Sequence, residues 1–170
     1  LSLPEIDPKI INRLSTLRIL SIEDSNLIKS DLFKGLFRLK LLSISKSRIS
    51  ELSSNTFDDI SDLTELRLSR NRLTRIDENL FDRLSNLLLL DLSSNGIKRF
   101  EPNTFQRLQG LRFLDLSDNL IERIDASLFS GLSSIAVICL YENSVTLGNV
   151  FSYFNRDRLR VIGFFDDENI

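Results

Sequence analysis

Apolar residues recur along this chain at a step far longer than that of any single helix or strand. Leu39, Leu63, Leu87, Leu111, Ile135 and Leu159 stand 24 residues apart. Three positions later come Leu42, Leu66, Leu90, Leu114, Ile138 and Ile162, and two further on Ile44, Leu68, Leu92, Leu116, Leu140 and Phe164. A polar column follows at Asn71, Asn95, Asn119 and Asn143, then an apolar one at Leu73, Ile97, Ile121 and Val145. Phe57, Phe81, Phe105 and Phe129 keep the same step. Agreement of many columns at one fixed period is the mark of a solenoid, in which each unit buries its apolar face only against its neighbours.

The units divide residues 1–170, read as one domain and as part of a longer chain, into a partial repeat 1–16, repeats 17–38, 39–62, 63–86, 87–110, 111–134 and 135–158, and a partial repeat 159–170. The 17–38 unit is two residues short before Phe33. Leu3, Ile6 and Asp7 align with Leu73, Ile76 and Asp77. Ser25 and Ser47 take the asparagine place early, and Asp167 takes it late. Phe151, Tyr153 and Phe154 are expected to form an atypical closing layer, with Asp166, Asp167 and Glu168 discouraging further edge pairing, unless the repeats simply continue. A chain opening in mid-repeat either tolerates an exposed edge or dimerises through it.

Within Leu-x-Leu the two leucines point to one face of a strand and the residue between them to the other. Each unit therefore predicts one short strand, and stacking in series makes the strands parallel. The leucines, the following apolar residue and the phenylalanine fill the coil. An unpaired amide in that setting costs a few kcal/mol, so Asn71, Asn95, Asn119 and Asn143 read as a structural ladder bonding the backbone of adjacent turns. Pro102, Asn79 and Asn103 predict loops or short helical turns on the convex side. On the flank, Arg75, Arg99 and Arg123 are each followed two residues later by Asp77, Glu101 and Asp125. These columns predict a solvated salt ladder.

Leu87-x-x-Leu90-x-Leu92-x-x-Asn95-x-Ile97 resembles the hallmark of the leucine-rich repeat family, and the 24-residue unit with its phenylalanine is similar to the class typical of extracellular proteins. Toll-like receptor ectodomains, adhesion receptors and secreted immune proteins use that class. The resemblance implies an α/β-type solenoid: a curved right-handed coil with a parallel sheet on the concave face. It implies protein recognition in innate immunity, signalling or adhesion, and an extracellular setting. An intracellular scaffold or regulatory subunit is the alternative, and a non-catalytic segment of an enzyme a third.

Composition narrows the chemistry. With no His and one Cys, neither a Cys/His zinc site nor Ser-His-Asp or Cys-His catalysis can be assembled. There is no Gly-rich phosphate loop, acidic calcium loop or Asn-x-Ser/Thr sequon, so no metal or cofactor is expected. A net charge of −2 gives no electrostatic reason to expect nucleic acid or an anionic membrane. No apolar run approaches the roughly 18 residues of a membrane span, and Leu1-Ser2-Leu3-Pro4 is not the start of a signal peptide.

Function is expected on the outward strand positions, since packing dictates the inward ones. Two clusters stand out there. Lys46, Arg67 and Arg70 form a basic centre. Toward the C-terminus Asp91, Asp115, Asp118, Glu142 and Asp166 form an acidic band beside Phe113, Val137, Tyr141 and Phe165. Exposed aromatics beside charges are the composition of protein-binding hot spots. The candidate site is thus Phe113, Asp115, Asp118, Val137, Tyr141, Glu142 and Phe165, facing a protein ligand or co-receptor. The competing reading is ordinary packing between strands, with Tyr141 and Phe165 shielding the end of the core. The serines at Ser69, Ser93 and Ser117 read as generic scaffold. Cys139 falls outward among acidic neighbours, either as a small part-shielded residue or in an intermolecular disulfide.

Overall fold

The computed structural model describes residues 8–26, 28–145 and 160–162, the last three and Ala126 as backbone. After a single helical turn, α1 (Pro8–Ile11), come seven strands: β1 (Ile19–Ile22), β2 (Leu41–Ile44), β3 (Glu65–Arg67), β4 (Leu89–Asp91), β5 (Phe113–Asp115), β6 (Val137–Cys139) and β7 (Arg160–Ile162). They form one parallel sheet in sequential order, the concave wall of a right-handed solenoid. Among the described residues the return segments hold only the 3-10 turns Asp58–Ile60 and Ala126–Phe129. A unit of about two dozen residues leaves no length for a long helix once a strand and two turns are made.

Register follows the leucine columns. Ile19 pairs with Leu41, Leu41 with Glu65, Glu65 with Leu89, Leu89 with Phe113 and Phe113 with Val137. The last step differs: Val137 pairs with Arg160, not with Val161 as the 24-residue count predicts. One residue fewer separates β6 from β7, which puts Val161 in the register position opposite Ile138. Since strand side chains alternate faces, a one-residue slip exchanges inner and outer positions. In register, the column Leu42, Leu66, Leu90, Leu114, Ile138 therefore continues at Val161 and not at Ile162 as the repeat count predicts.

Leu42, Leu66, Leu90, Leu114 and Ile138 are buried in their strands, while their neighbours on either side are half-covered or open, except Cys139, which is buried beside Ile138. Behind them Phe33, Phe57, Phe81, Phe105 and Phe129 are buried in file. Phe33 stacks on Phe57 at 6.0 Å and Phe81 on Phe105 at 6.2 Å, and Phe100 tilts against Phe105 at 5.1 Å. Each such side chain is worth roughly 1.5–3 kcal/mol when fully buried, so the phenylalanine column and the leucines carry the fold. The convex turns press close to one another. A Cβ on Gly131 would lie 2.4 Å from the carbonyl oxygen of Gln106, so only glycine fits there.

The asparagine column closes the coils. The Nδ2 of Asn119 donates to the carbonyls of Leu92, Leu116 and Ser117 at 3.0–3.1 Å. Its Oδ1 accepts from the Ile97 amide at 3.0 Å. Asn71, Asn95 and Asn143 make the same four bonds in their own coils. Where serine stands instead, the hydroxyl of Ser47 accepts from the Ser25 amide at 3.2 Å and donates to the Ser45 carbonyl at 3.4 Å. A hydroxyl has fewer donors to give than an amide, and the early ladder is correspondingly thinner.

The flank does not form the expected salt ladder. Among the described residues Arg75, Arg99 and Arg123 have no carboxylate within 4.0 Å. Asp77 instead accepts from the Asn79 amide at 2.9 Å, and Asp125 caps its 3-10 turn through the Ser127 amide at 2.8 Å. Hydrogen bonds from Ser127 hold the Asp125 carboxyl below its ordinary value. A short local bond to the backbone two residues on asks less ordering of a side chain than an exposed pair with a long arginine, which is worth about 0–1 kcal/mol.

Candidate partner-binding face

Immediately after each strand the backbone turns through the left-handed region. Asp24, Lys46, Arg70, Ser94, Asp118 and Glu142 all have φ between 51° and 57°, and none is glycine. This region is disfavoured for ordinary L-residues. The conformation is held by bonds to the next coil: the amides of Lys46, Arg70, Ser94 and Asp118 donate to the carbonyls of Ser69, Ser93, Ser117 and Tyr141 at 2.9–3.1 Å. The turn aims the next residue's amide side chain inward as the ladder. The left-handed residue itself remains outside, so a row of side chains stands along the edge of the concave sheet, one per coil.

Read along the solenoid, that row opens with Asp24, and its five members from Lys46 on, Lys46, Arg70, Ser94, Asp118 and Glu142, are two cations, a neutral residue and two anions. These residues, with Arg67 and Tyr141, line one open trough. The sequence separated a basic centre from an acidic band; the fold joins Lys46, Arg67 and Arg70 with Asp91, Asp118 and Glu142 of that band on a single surface. Lys46 reaches Glu23 at 4.0 Å, and Arg67 pairs with Glu65. Among the described residues Arg70 has no carboxylate within 4.0 Å, and Asp118 and Glu142 have no cation within that distance.

The floor is more tightly built. Ser43, Arg67, Asp91, Asp115 and Cys139 are successive register partners across the sheet. Asp91 accepts from both the hydroxyl and the amide of Ser93, at 2.6 and 2.9 Å. Asp115 does the same with Ser117 at 2.5 and 3.0 Å. Ser45 and Ser69 hydroxyls meet at 3.2 Å. Of the serines read as generic scaffold, Ser93 and Ser117 are therefore clamps that orient the floor carboxylates, while the Ser69 hydroxyl meets that of Ser45. The pattern Asp-x-Ser at 91–93 and 115–117 is the signal that identifies them, because an aspartate readily accepts from the backbone and hydroxyl two residues on.

With the coil, its ladder and its trough in view, comparison with known proteins decides the family. Residues 15–73 and 61–121 match the leucine rich repeat profile. The chain is a leucine-rich repeat protein. Its repeats are of the Toll-like ectodomain type. A solved chain in the TLR13–ssRNA13 complex superposes with a TM-score of 0.77 at 32% identity, over 81% of this chain and 20% of that one. A chain of the Drosophila Toll–Spatzle complex superposes with a TM-score of 0.79 at 24% identity, over 92% of this chain and 21% of that one, and bears on the fold alone. Comparison with curated proteins returns no match. This leucine-rich repeat chain thus spans about a fifth of the length of those solved chains.

The sequence-derived candidates fall into three groups. Asp118, Tyr141 and Glu142 line the trough together with Lys46, Arg67 and Arg70, and Tyr141 is 45% exposed. Phe113, Asp115 and Val137 do not line it. Phe113 is half-buried, not an exposed aromatic, because it stands in register between Leu89 and Val137 on the flanking strands. Phe165 and Asp166, like Phe151, Tyr153 and Phe154, lie outside the described residues.

Cys139 is a free thiol, only 6% exposed, on the floor of the sheet. Burial, with Asp115 and Asp91 nearby, pushes its pKa up to about 11. A thiol so covered and so held in its protonated form is poorly placed for the intermolecular disulfide that its outward position suggested. Among the described residues no three His, Cys, Asp or Glu side chains are arranged to hold a metal ion, and no helix is long and apolar enough to cross a membrane.

Proposed function

We propose that this chain is a non-enzymatic protein-recognition module of a receptor ectodomain or secreted protein, working in innate immunity, signalling or cell adhesion, and that its concave trough contacts the protein ligand. The observation that carries this reading is the row of exposed charged side chains fixed in place by a hydrogen-bonded left-handed turn. A backbone already ordered on a rigid coil spends little further entropy on binding, which leaves only the side chains to be ordered. The Toll-like neighbour supports the receptor setting.

Seven strands about 4.8 Å apart span roughly 29 Å, and a three-residue strand with the two residues that follow it gives roughly 17 Å across. The resulting area of about 480 Å² falls short of the roughly 800 Å² per partner of a standard interface. Loops or further repeats then share the contact, in keeping with a chain that covers about a fifth of its solved neighbours.

Site-specific photo-cross-linking tests the proposal. A cross-linker at Ser94, in the trough, is compared with one at Arg107, on the exposed return segment. Incubated with a fraction of extracellular proteins, the Ser94 position is expected to yield a discrete adduct and the Arg107 position none. Adducts from Arg107 alone would place recognition elsewhere.

A further inference from the structure

The row Lys46, Arg70, Ser94, Asp118, Glu142 is ordered by charge, and among the described residues Arg70, Asp118 and Glu142 have no counterion within 4.0 Å. A surface of that kind selects by complementarity, since wrong-sign contacts cost more than right-sign contacts gain. Arg70 and Asp118 are two coils apart and Arg70 and Glu142 three, so strand spacing puts the poles about 10–14 Å from one another. An extended peptide advances about 3.3 Å per residue, and bridges that gap in three to four residues. Tyr141 stands at the acidic end, where its exposed ring can lie against a guanidinium.

Resting on the reading of the trough as the recognition face, we infer that it takes an extended peptide segment with an acidic and a basic side chain three to four residues apart. The acidic side chain sits at Arg70, backed by Lys46 and Arg67. The basic one sits between Asp118, Glu142 and Tyr141. A polyanion fits less well. Two of the three cations are already engaged by Glu23 and Glu65. The track beyond them passes Asp91, Asp118 and Glu142, which repel phosphates.

The test uses the whole 170-residue chain and fluorescent hexapeptides measured by anisotropy in low and physiological salt. The probes carry Asp and Arg four apart in both orders, two Asp, or two Arg; oligouridylate is the nucleic-acid probe. Wild type is expected to prefer an Asp–Arg peptide by at least about tenfold over either uniformly charged peptide, with binding weakened by salt. Arg70→Glu makes the row acidic and should transfer the preference to the Arg–Arg peptide. Asp118→Lys with Glu142→Lys makes it basic and should transfer it to Asp–Asp. Arg70→Gln should weaken the Asp–Arg peptide without creating a new preference. Equal binding of all peptides, an unchanged order in folded Arg70→Glu, or tighter binding of oligouridylate each overturns the inference. If Ser94 cross-links to protein while the peptides show no dipolar preference, the recognition face stands and only its proposed ligand chemistry fails.

Discussion

Two columns one residue apart show how this coil divides its labour. Asn71, Asn95, Asn119 and Asn143 repeat both their chemistry and their bonds, four to each amide. Arg70, Ser94, Asp118 and Glu142, just before them, repeat only their backbone: the same left-handed φ, with four different side chains. The inner column faces a fixed set of carbonyls and one amide, so any other side chain would leave groups unpaired. The outer column faces water, and its side chains are free to vary because the turn is held by main-chain bonds to the next coil. Stability is thus written in the repeated column, and the proposed recognition would draw on the varied one.

The largest expected effect comes from breaking the inner column. Asn119→Leu strands the Ile97 amide and takes a bond from each of the carbonyls of Leu92 and Leu116, while the Ser117 carbonyl keeps the Ser94 amide. At roughly 1–3 kcal/mol for each group that stays dry, the loss should be at least about 3 kcal/mol by urea unfolding. Next comes the buried floor of the sheet. Folding raises the Cys139 pKa to about 11, so between its unfolded value and that pH the native chain binds the extra proton. Its contribution is complete below the unfolded thiol value of about 8.5, and stability should decline as pH climbs from there through about 11. Alkylation of the native chain should stay slow at neutral pH and accelerate only in that window.

Smaller effects belong to the outer column and sharpen the contrast. Ser94→Asn replaces a serine at φ 52° by a residue that, glycine aside, is among those that best tolerate that region. It should raise stability by about 0.5 kcal/mol, read as a higher urea midpoint at unchanged slope. Arg70→Glu alters a side chain with no ion partner among the described residues and should move stability by less than about 0.5 kcal/mol. Asn119 and Arg70 lie at adjacent positions of the repeat, yet their substitutions should differ several-fold in cost.

Much of this was legible in the sequence because packing imposes a period on it. Leu42, Leu66, Leu90 and Leu114 recur since each must fill the same space, and Asn71 to Asn143 recur since each meets the same carbonyls. The trough was only half legible. Its charged residues could be listed, but that Lys46 and Glu142 share one surface depends on the left-handed turn. Lys46, Arg70, Ser94, Asp118 and Glu142 carry no glycine or repeated asparagine to announce it. Phe113 misled for a related reason: alternation gives the face of a strand on which a side chain stands, not how far its neighbours cover it. The flank carboxylates misled because Asp77 and Asp125 had a nearer partner in their own backbone than in Arg75 or Arg123.

The claim that the outer column recognises while the inner one stabilises meets its most direct test in one paired measurement. The Ser94 cross-linker is placed in the wild-type chain and in an Arg70→Glu, Asp118→Lys background, and adduct yield is read beside the urea midpoint of each protein. The expected result is loss of the adduct at a nearly unchanged midpoint. The same adduct at the same yield from the charge-reversed chain would contradict it.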